Sequence, residues 1–404
     1  MKISYRLSRY FCGIIFFVFV ASTAAFGQIH HDLKVVLYPD NHRLEVIDKI
    51  VVPEIIDVYP IIFALHKGLE PKVLSKDAVL KKIGIEKGLE IFEIDLSSGI
   101  RQFTITYEGE IFHPVDENSE GYARGFNETS GIISSQGVYL SASAVWCPYF
   151  YQYSLRNKLI TFNMEVIVPY GWATVSQGAR IERRAGIDAG RGVQLDRWVE
   201  DKPQEEIYLI ANKFIEYNQR AGDVDAMVFL HQQDHELAQK YLDATARYIE
   251  MYSKLFGPYP YGKFALVENF WETGYGMPSF TLLGSSVIRF PFILNSSFPH
   301  EILHNWWGNG VYVDGAKGNW CEGLTAYLAD YFLKEQQGEG IEHRRLILQK
   351  YKNFVKAGVG RDFSVSEFSN RHSGATEAVG YGKTAMFFHM LRREAGDKIF
   401  FDAL

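Results

Sequence analysis

Apolar and polar positions alternate with a period of two through much of the first half of the chain. Residues 33–37, 44–52, 103–107, 160–168, 194–199 and 206–210 are short runs rich in branched apolar side chains, bounded by Gly, Pro, Asp or Asn. Such alternation turns one face of each run toward a core and the other outward, so each is a predicted strand. No long helical pattern interrupts them, and no repeat of solenoid length is visible. An antiparallel, β-rich domain over residues 28–220 is the simplest reading.

The period changes near Asp223. After a short strand at 225–230, residues 236–256 carry Leu237, Tyr241, Leu242, Ile249, Tyr252 and Leu255 at helical spacing, and Gly257-Pro258 ends the run. Two further strands are predicted at 263–268 and 280–288. Beyond them the pattern is helical, at 298–307, 320–336, 341–357 and 376–394, with Gly358 as the stop of the third helix. The chain therefore reads as α+β and multidomain. Its second part, residues 221–404, is mostly helical behind a small sheet.

Composition narrows the class. The chain has 404 residues, 47% of them apolar, with 42 basic and 48 acidic side chains and a net charge of -6. That supports a large core and gives no basic surface for nucleic acid. Residues 1–27 have the form of a secretory leader: Lys2, Arg6 and Arg9, an apolar run from Phe11 to Phe26, and Ala25 and Gly27 at the small positions before a cut after Gly27. The expected location is exported, periplasmic or extracellular, with no transmembrane segment left once the leader is removed. Cys12 lies in the leader. Cys147 and Cys321 remain, and the sequence leaves open whether they pair. His30-His31 reads as a disordered start able to bind metal adventitiously. Oligomeric state is likewise open.

One constellation carries chemistry. His300-Glu301-Ile302-Leu303-His304 falls where a helix is predicted, after the cap signal Asn295-Ser296-Ser297. Residues i and i+4 share a helix face, so both imidazoles can reach one metal ion. Glu301 lies beside that face, placed to take a proton from an attacking water. A catalytic zinc needs a third protein ligand and an open position. Glu322, 18 positions after His304 at the start of the next predicted helix, is the candidate, and Cys321 beside it is the rival. His235-Glu236 begins the same way but has Gln239 where a second His belongs, and reads as an ordinary helix start. One Zn²⁺ per chain and a peptide or protein substrate follow.

These residues resemble the membrane alanyl aminopeptidase family of gluzincin metallopeptidases. The resemblance rests on His300–Asn309, with Trp306, Gly308 and Asn309; on Trp320-Cys321-Glu322-Gly323; and on Tyr381-Gly382-Lys383-Thr384-Ala385. It implies a thermolysin-like catalytic domain after the β domain, with the family's usual helical C-terminal domain absent or truncated. It gives Tyr381 the role of donor to the oxyanion of the tetrahedral intermediate, and makes Gly276 and Met277 part of a substrate-binding strand. Three departures accompany it. Seventeen residues separate His304 from Glu322, one fewer than the family's usual spacing. The family's G-x-M-E-N loop reads Gly276-Met277-Pro278-Ser279 after Tyr275, so the glutamate that grips a substrate's free amine is Pro278. The upstream segment 139–148 offers hydroxyls and no carboxylate. The implied hydrolytic machinery is complete, whereas the amine anchor is missing. The other reading is a peptidase-like module that binds peptides or proteins with weak or no catalysis.

Overall fold

A computed structural model describes residues 28–53, 60–115, 129–150, 159–188, 190–356 and 362–404. The expected leader with its cut after Gly27, and the helix stop at Gly358, lie outside the described residues. Among the described residues, no helix is long and apolar enough to cross a membrane.

The first part is built of three sheets. A seven-stranded sheet has Ile29–Tyr38 near its middle, between Arg43–Val51 and Ile160–Pro169, with Arg191–Gln204 and Ala179–Asp188 continuing one side. Two four-stranded sheets complete it, one containing Ile61–His66 and Leu89–Leu96, the other Gly137–Leu140 and Leu209–Asn212. The antiparallel expectation needs one correction, since Ile29–Tyr38 and Ile160–Pro169 run parallel. A hairpin cannot make that pair; a connection of more than a hundred residues separates the two strands and carries much of the other two sheets.

His30 and His31 correct a second expectation. They are not a frayed start but sit inside the sheet. His31 is fully buried and its Nδ1 lies 2.8 Å from the equally buried Asp48, while His30 bonds Thr161 at 2.8 Å. Burial raises the Asp48 carboxyl above its usual range, and His31 opposes that.

The second part opens with a five-stranded sheet, in the order Ile215–Ala221, Val224–Leu230, Lys263–Asn269, Phe280–Gly284, Gly274–Met277. Its three central strands are parallel, and both faces are covered. Met227, Phe229, Ala265, Val267 and Phe280 join the core of the N-terminal sheets. Their neighbours Ala226, Val228, Leu230, Phe264 and Leu266 join the helical core. Alternate residues thus enter different cores, which is why these strands read as unbroken apolar runs. The predicted strand over 280–288 stops at Gly284 because the chain turns into a tight 3₁₀ turn at Val287–Arg289.

The His235–Phe256 helix starts where Asp234 accepts the Leu237 amide at 2.9 Å and ends at Gly257 with φ +90°. It packs through Tyr241 on Phe298, ring centroids 4.8 Å apart. His235 at its start bonds Gln233. The predicted helix 298–307 is shorter, Ser297–Leu303, and Ser296 does not cap it: its hydroxyl bonds Phe292 O at 2.9 Å instead. Helices at 321–336 and 374–395 each contain a wide π turn, Ala326–Tyr331 and Ala378–Lys383. The first follows Glu322 and the second contains Tyr381. An extra residue in a helical turn rotates the side chains beyond it, a device frequent at functional sites. Cys147 and Cys321 are both free.

Candidate active site

The Ser297–Leu303 helix and the turn after it carry both histidines; the helix beginning at Cys321 carries Glu322. Glu322 Oε2 lies 3.4 Å from His300 Nε2 and 3.5 Å from His304 Nε2. The three donor atoms lie within 4.8 Å of one another, and they form the one such group of three among the described residues. Two imidazoles and a carboxylate converging from buried ground are a donor set suited to a divalent metal of borderline softness with a position left open.

The other nitrogen of each ring is also held. His300 Nδ1 is 3.5 Å from Asp330 Oδ2. His304 Nδ1 is 3.1 Å from the Trp307 carbonyl. These partners leave each Nε2 as the free lone pair, which a metal requires. Cys321 is not among the converging donors. Its Sγ lies 3.3 Å from His304 Nδ1, on the far side of the ring, and donates to Trp307 O at 2.9 Å. Gly308, at φ +108°, allows this approach, because a Cβ there would sit 2.9 Å from the sulfur.

Glu301 and Glu322 are carboxylates in contrasting settings. Burial lifts the Glu301 carboxyl above its usual range, opposed by His304 and His300. Burial also acts on Glu322, but His304 and His300, as charge and as hydrogen-bond partners, hold it well below that range. Environments that push two carboxyls apart suit one as proton acceptor and the other as fixed ligand. Tyr381 closes the opposite side. Its ring lies 6.1 Å from that of His300, and burial followed by the Glu322 charge pushes its phenol well up. The Arg371 guanidinium lies 5.8 Å from the phenol ring centroid.

Gly274–Met277 is the last strand in the order of the five-stranded sheet and pairs with Phe280–Gly284. Gly276 lies against the site, so close that a Cβ there would overlap Glu301 Oε2 and stand 3.6 Å from His304 Cδ2. Met277 is buried among the N-terminal core. A cleft of about 1520 Å³ runs between this edge and the helices, lined by His300, Glu301, His304, Glu322 and Tyr381.

Pro278 is buried. The next residue, Ser279, takes φ +66°, a cost of roughly 1 kcal/mol for a residue with a Cβ. Three bonds hold it there: its amide donates to Asn305 Oδ1 at 2.6 Å, its hydroxyl accepts from Lys263 Nζ at 2.7 Å, and it also accepts from Gly178 N at 3.1 Å. Lys263 is fully buried, and burial lowers its amine to about 7.

Several cleft residues were missed in the sequence. Asp330 is an acid inside the apolar run 326–333, and that isolation was its signal. Glu205 and Tyr208 line the cleft because the strand expected at 206–210 begins only at Leu209. Glu272, which the sequence already offered as a stand-in for the absent amine-binding glutamate, also lines the cleft, with one oxygen accepting from Ser286 N at 2.9 Å.

No protein-family model matches the chain, and no curated protein sequence does. Solved structures do match, and they define a class: the chain has the fold of M1 zinc metallopeptidases. One is the M1 zinc metallopeptidase of Deinococcus radiodurans, 17% identical with a TM-score of 0.65 over 93% of this chain and 84% of that one. A point mutant of that enzyme, bound to a Tyr-Ser-Ala substrate, matches at 16% identity and TM-score 0.63, over 93% and 85%. Native yeast LTA4 hydrolase matches at 15% identity and TM-score 0.65, over 93% of this chain and 60% of that one.

Proposed function

We propose that the chain is a zinc-dependent peptidase of the aminopeptidase-like kind, with a β domain over 28–220 and a thermolysin-like catalytic domain over 221–404. The observation that carries this reading is the placement of Glu301. Its carboxyl lies against the edge strand at Gly276, where one and the same Cβ would meet both Glu301 and His304 of the donor triad. His300, His304 and Glu322 would hold one Zn²⁺, which when bound would supply Lewis acidity to a scissile carbonyl and a water. Glu301 takes the proton of the attacking water and delivers it to the leaving nitrogen. The Tyr381 hydroxyl donates to the oxygen that gains charge. The edge strand Gly274–Met277 lies along the substrate main chain, a mode that reads backbone without needing a terminal amine. The leader at 1–27 would export the protein.

The second reading, a peptide-binding module, is favoured by one observation: Pro278 leaves no charge at the position where the resembling family grips the amine. One experiment separates the two. A peptide mixture with free and with acetylated N-termini is offered to the zinc-loaded protein and to its Glu301→Gln variant, with cleavage followed by mass spectrometry. The expected result is internal cuts in both pools, absent in the variant although its zinc content is unchanged. Loss of single N-terminal residues from free peptides alone would make it an aminopeptidase with another amine anchor. Absence of cuts in both pools would leave the binding module.

A further inference from the structure

Two exposed phenylalanine rings stand at the mouth of the cleft with no role in the proposed hydrolysis. Phe290 and Phe292 flank Pro291, and their rings stack with centroids 5.4 Å apart and an interplanar angle of 15°. They are 41% and 60% exposed, and both line the cleft.

The segment that carries them is firmly built. Buried Tyr241 donates to Ile288 O at 2.9 Å, and Tyr248 donates to Leu294 O at 2.9 Å. Arg289 is tied to Glu268 at 2.8 Å. Backbone bonds Phe290 N to Val287 O and Ile293 N to Phe290 O, each 3.1 Å, close the turns on either side. The rings are therefore held at the surface by a pinned backbone. Apolar area presented this way is an unfilled contact surface, since covering it removes apolar surface from water.

The shelf and the edge strand border the same cleft. Gly274 pairs Leu283 and Met277 pairs Phe280. Gly284 N bonds Thr273 O at 2.9 Å, so the chain leaves the sheet at the Gly274 end of the edge strand before reaching Phe290. Glu301 packs on Gly276. A peptide held in the cleft with its reacting carbonyl near Gly276 shares that cleft with the two rings.

Resting on the peptidase reading of the cleft, we propose that Phe290 and Phe292 form a side-chain subsite that selects an aromatic residue at one position of the substrate. Flat rings offered as a stacked, exposed pair favour an aromatic partner over an aliphatic one through edge and offset stacking. The subsite would make the protein selective for peptides with Phe, Tyr or Trp at that position.

The test uses binding as well as cleavage. A set of acetylated octapeptides, each with a single Phe moved along an alanine-rich frame, is titrated calorimetrically into the zinc-loaded Glu301→Gln protein. The same set is offered to the protein with Glu301 intact. Phe at one position is expected to bind about tenfold more tightly than the all-alanine frame. Phe290→Ala/Phe292→Ala in the same background is expected to remove that preference while leaving the affinity of the alanine frame unchanged. Both side chains are exposed, and an unchanged melting temperature verifies the fold. Equal binding of all peptides, or no binding of any, would overturn the subsite. So would a parent dimer in sedimentation that the double variant dissolves, because the rings would then face a second copy. Selective binding without cleavage by the Glu301 protein would keep the subsite and refute the peptidase.

Discussion

Replacing Gly276 by alanine tests the central geometry with a single methyl group. Gly276 does not adopt positive φ, so an alanine is compatible with its backbone and no strain of that kind enters. The added Cβ would overlap Glu301 Oε2 and stand 3.3 Å from Glu301 Cδ and 3.6 Å from His304 Cδ2. Ordinary carbon–oxygen contact needs about 1 Å more than the overlapping pair has, so the carboxylate turns away or the edge strand retreats by about that distance. A general base works within about 2.6–3.2 Å of the proton it removes, and a misplacement of about 1 Å costs on the order of a hundredfold. The expected loss in kcat/KM is therefore about a hundredfold, equivalent to about 2.7 kcal/mol of transition-state stabilisation. Zinc content should not change, because the methyl meets His304 only at an ordinary 3.6 Å contact and is not in contact with His300 or Glu322. Gly262→Ala is the control, since its Cβ would meet only Ala179 at 3.5 Å. Rates are read with an internally quenched peptide and zinc by atomic emission. A Gly276→Ala enzyme with full kcat/KM would mean either that the strand does not pack on Glu301 or that Glu301 is not the base.

Three further outcomes follow from other contacts. Asp330→Asn removes the charge 3.5 Å from His300 Nδ1 and should weaken zinc binding about 10–100-fold in competition with a chromophoric chelator; an unchanged affinity would deny Asp330 its orienting role. Gly308→Ala combines a residue at φ +108° with a Cβ 2.9 Å from Cys321 Sγ, and should cost more than about 1 kcal/mol in urea unfolding; a neutral result would refute the tight Cys321 approach. Lys263 has a folded value near 7 against 10.5 for the free amine. A depressed lysine is favoured by the fold when neutral, so its contribution rises with pH between about 7 and about 10.5, by at most about 1.4 kcal/mol per pH unit. Lys263→Met should remove that slope from the stability–pH curve, and parallel curves for the two proteins would sink the assignment.

What the sequence disclosed and what it hid divide along a physical line. His300, Glu301 and His304 were legible because helical spacing is local, and one turn already places two imidazoles together. The long strands were legible where one face meets a core and the other meets water. The parallel pairing of Ile29–Tyr38 with Ile160–Pro169 was not, because nothing in either strand names a partner more than a hundred residues away. Nor were Asp330, Glu205 and the Phe290–Phe292 shelf, whose meaning depends on which surfaces the fold brings to the cleft. The loop at 276–279 shows the difference most sharply. In sequence, Pro278 and Ser279 read as a damaged version of the family's amine-binding loop. In the fold that loop is firmly held: Ser279 is kept at φ +66° by Asn305, which follows His304, and by buried Lys263. Roughly 1 kcal/mol of backbone strain is offset by three hydrogen bonds, one of them charge-assisted when Lys263 is protonated. The edge strand thereby stays in register with Glu301 while the carboxylate is gone. A loop that had merely lost its use would not need those bonds. A firmly held backbone without a carboxylate at Pro278 fits the proposed site, which would read an extended main chain and take its selectivity from side chains along the cleft rather than from a terminal amine.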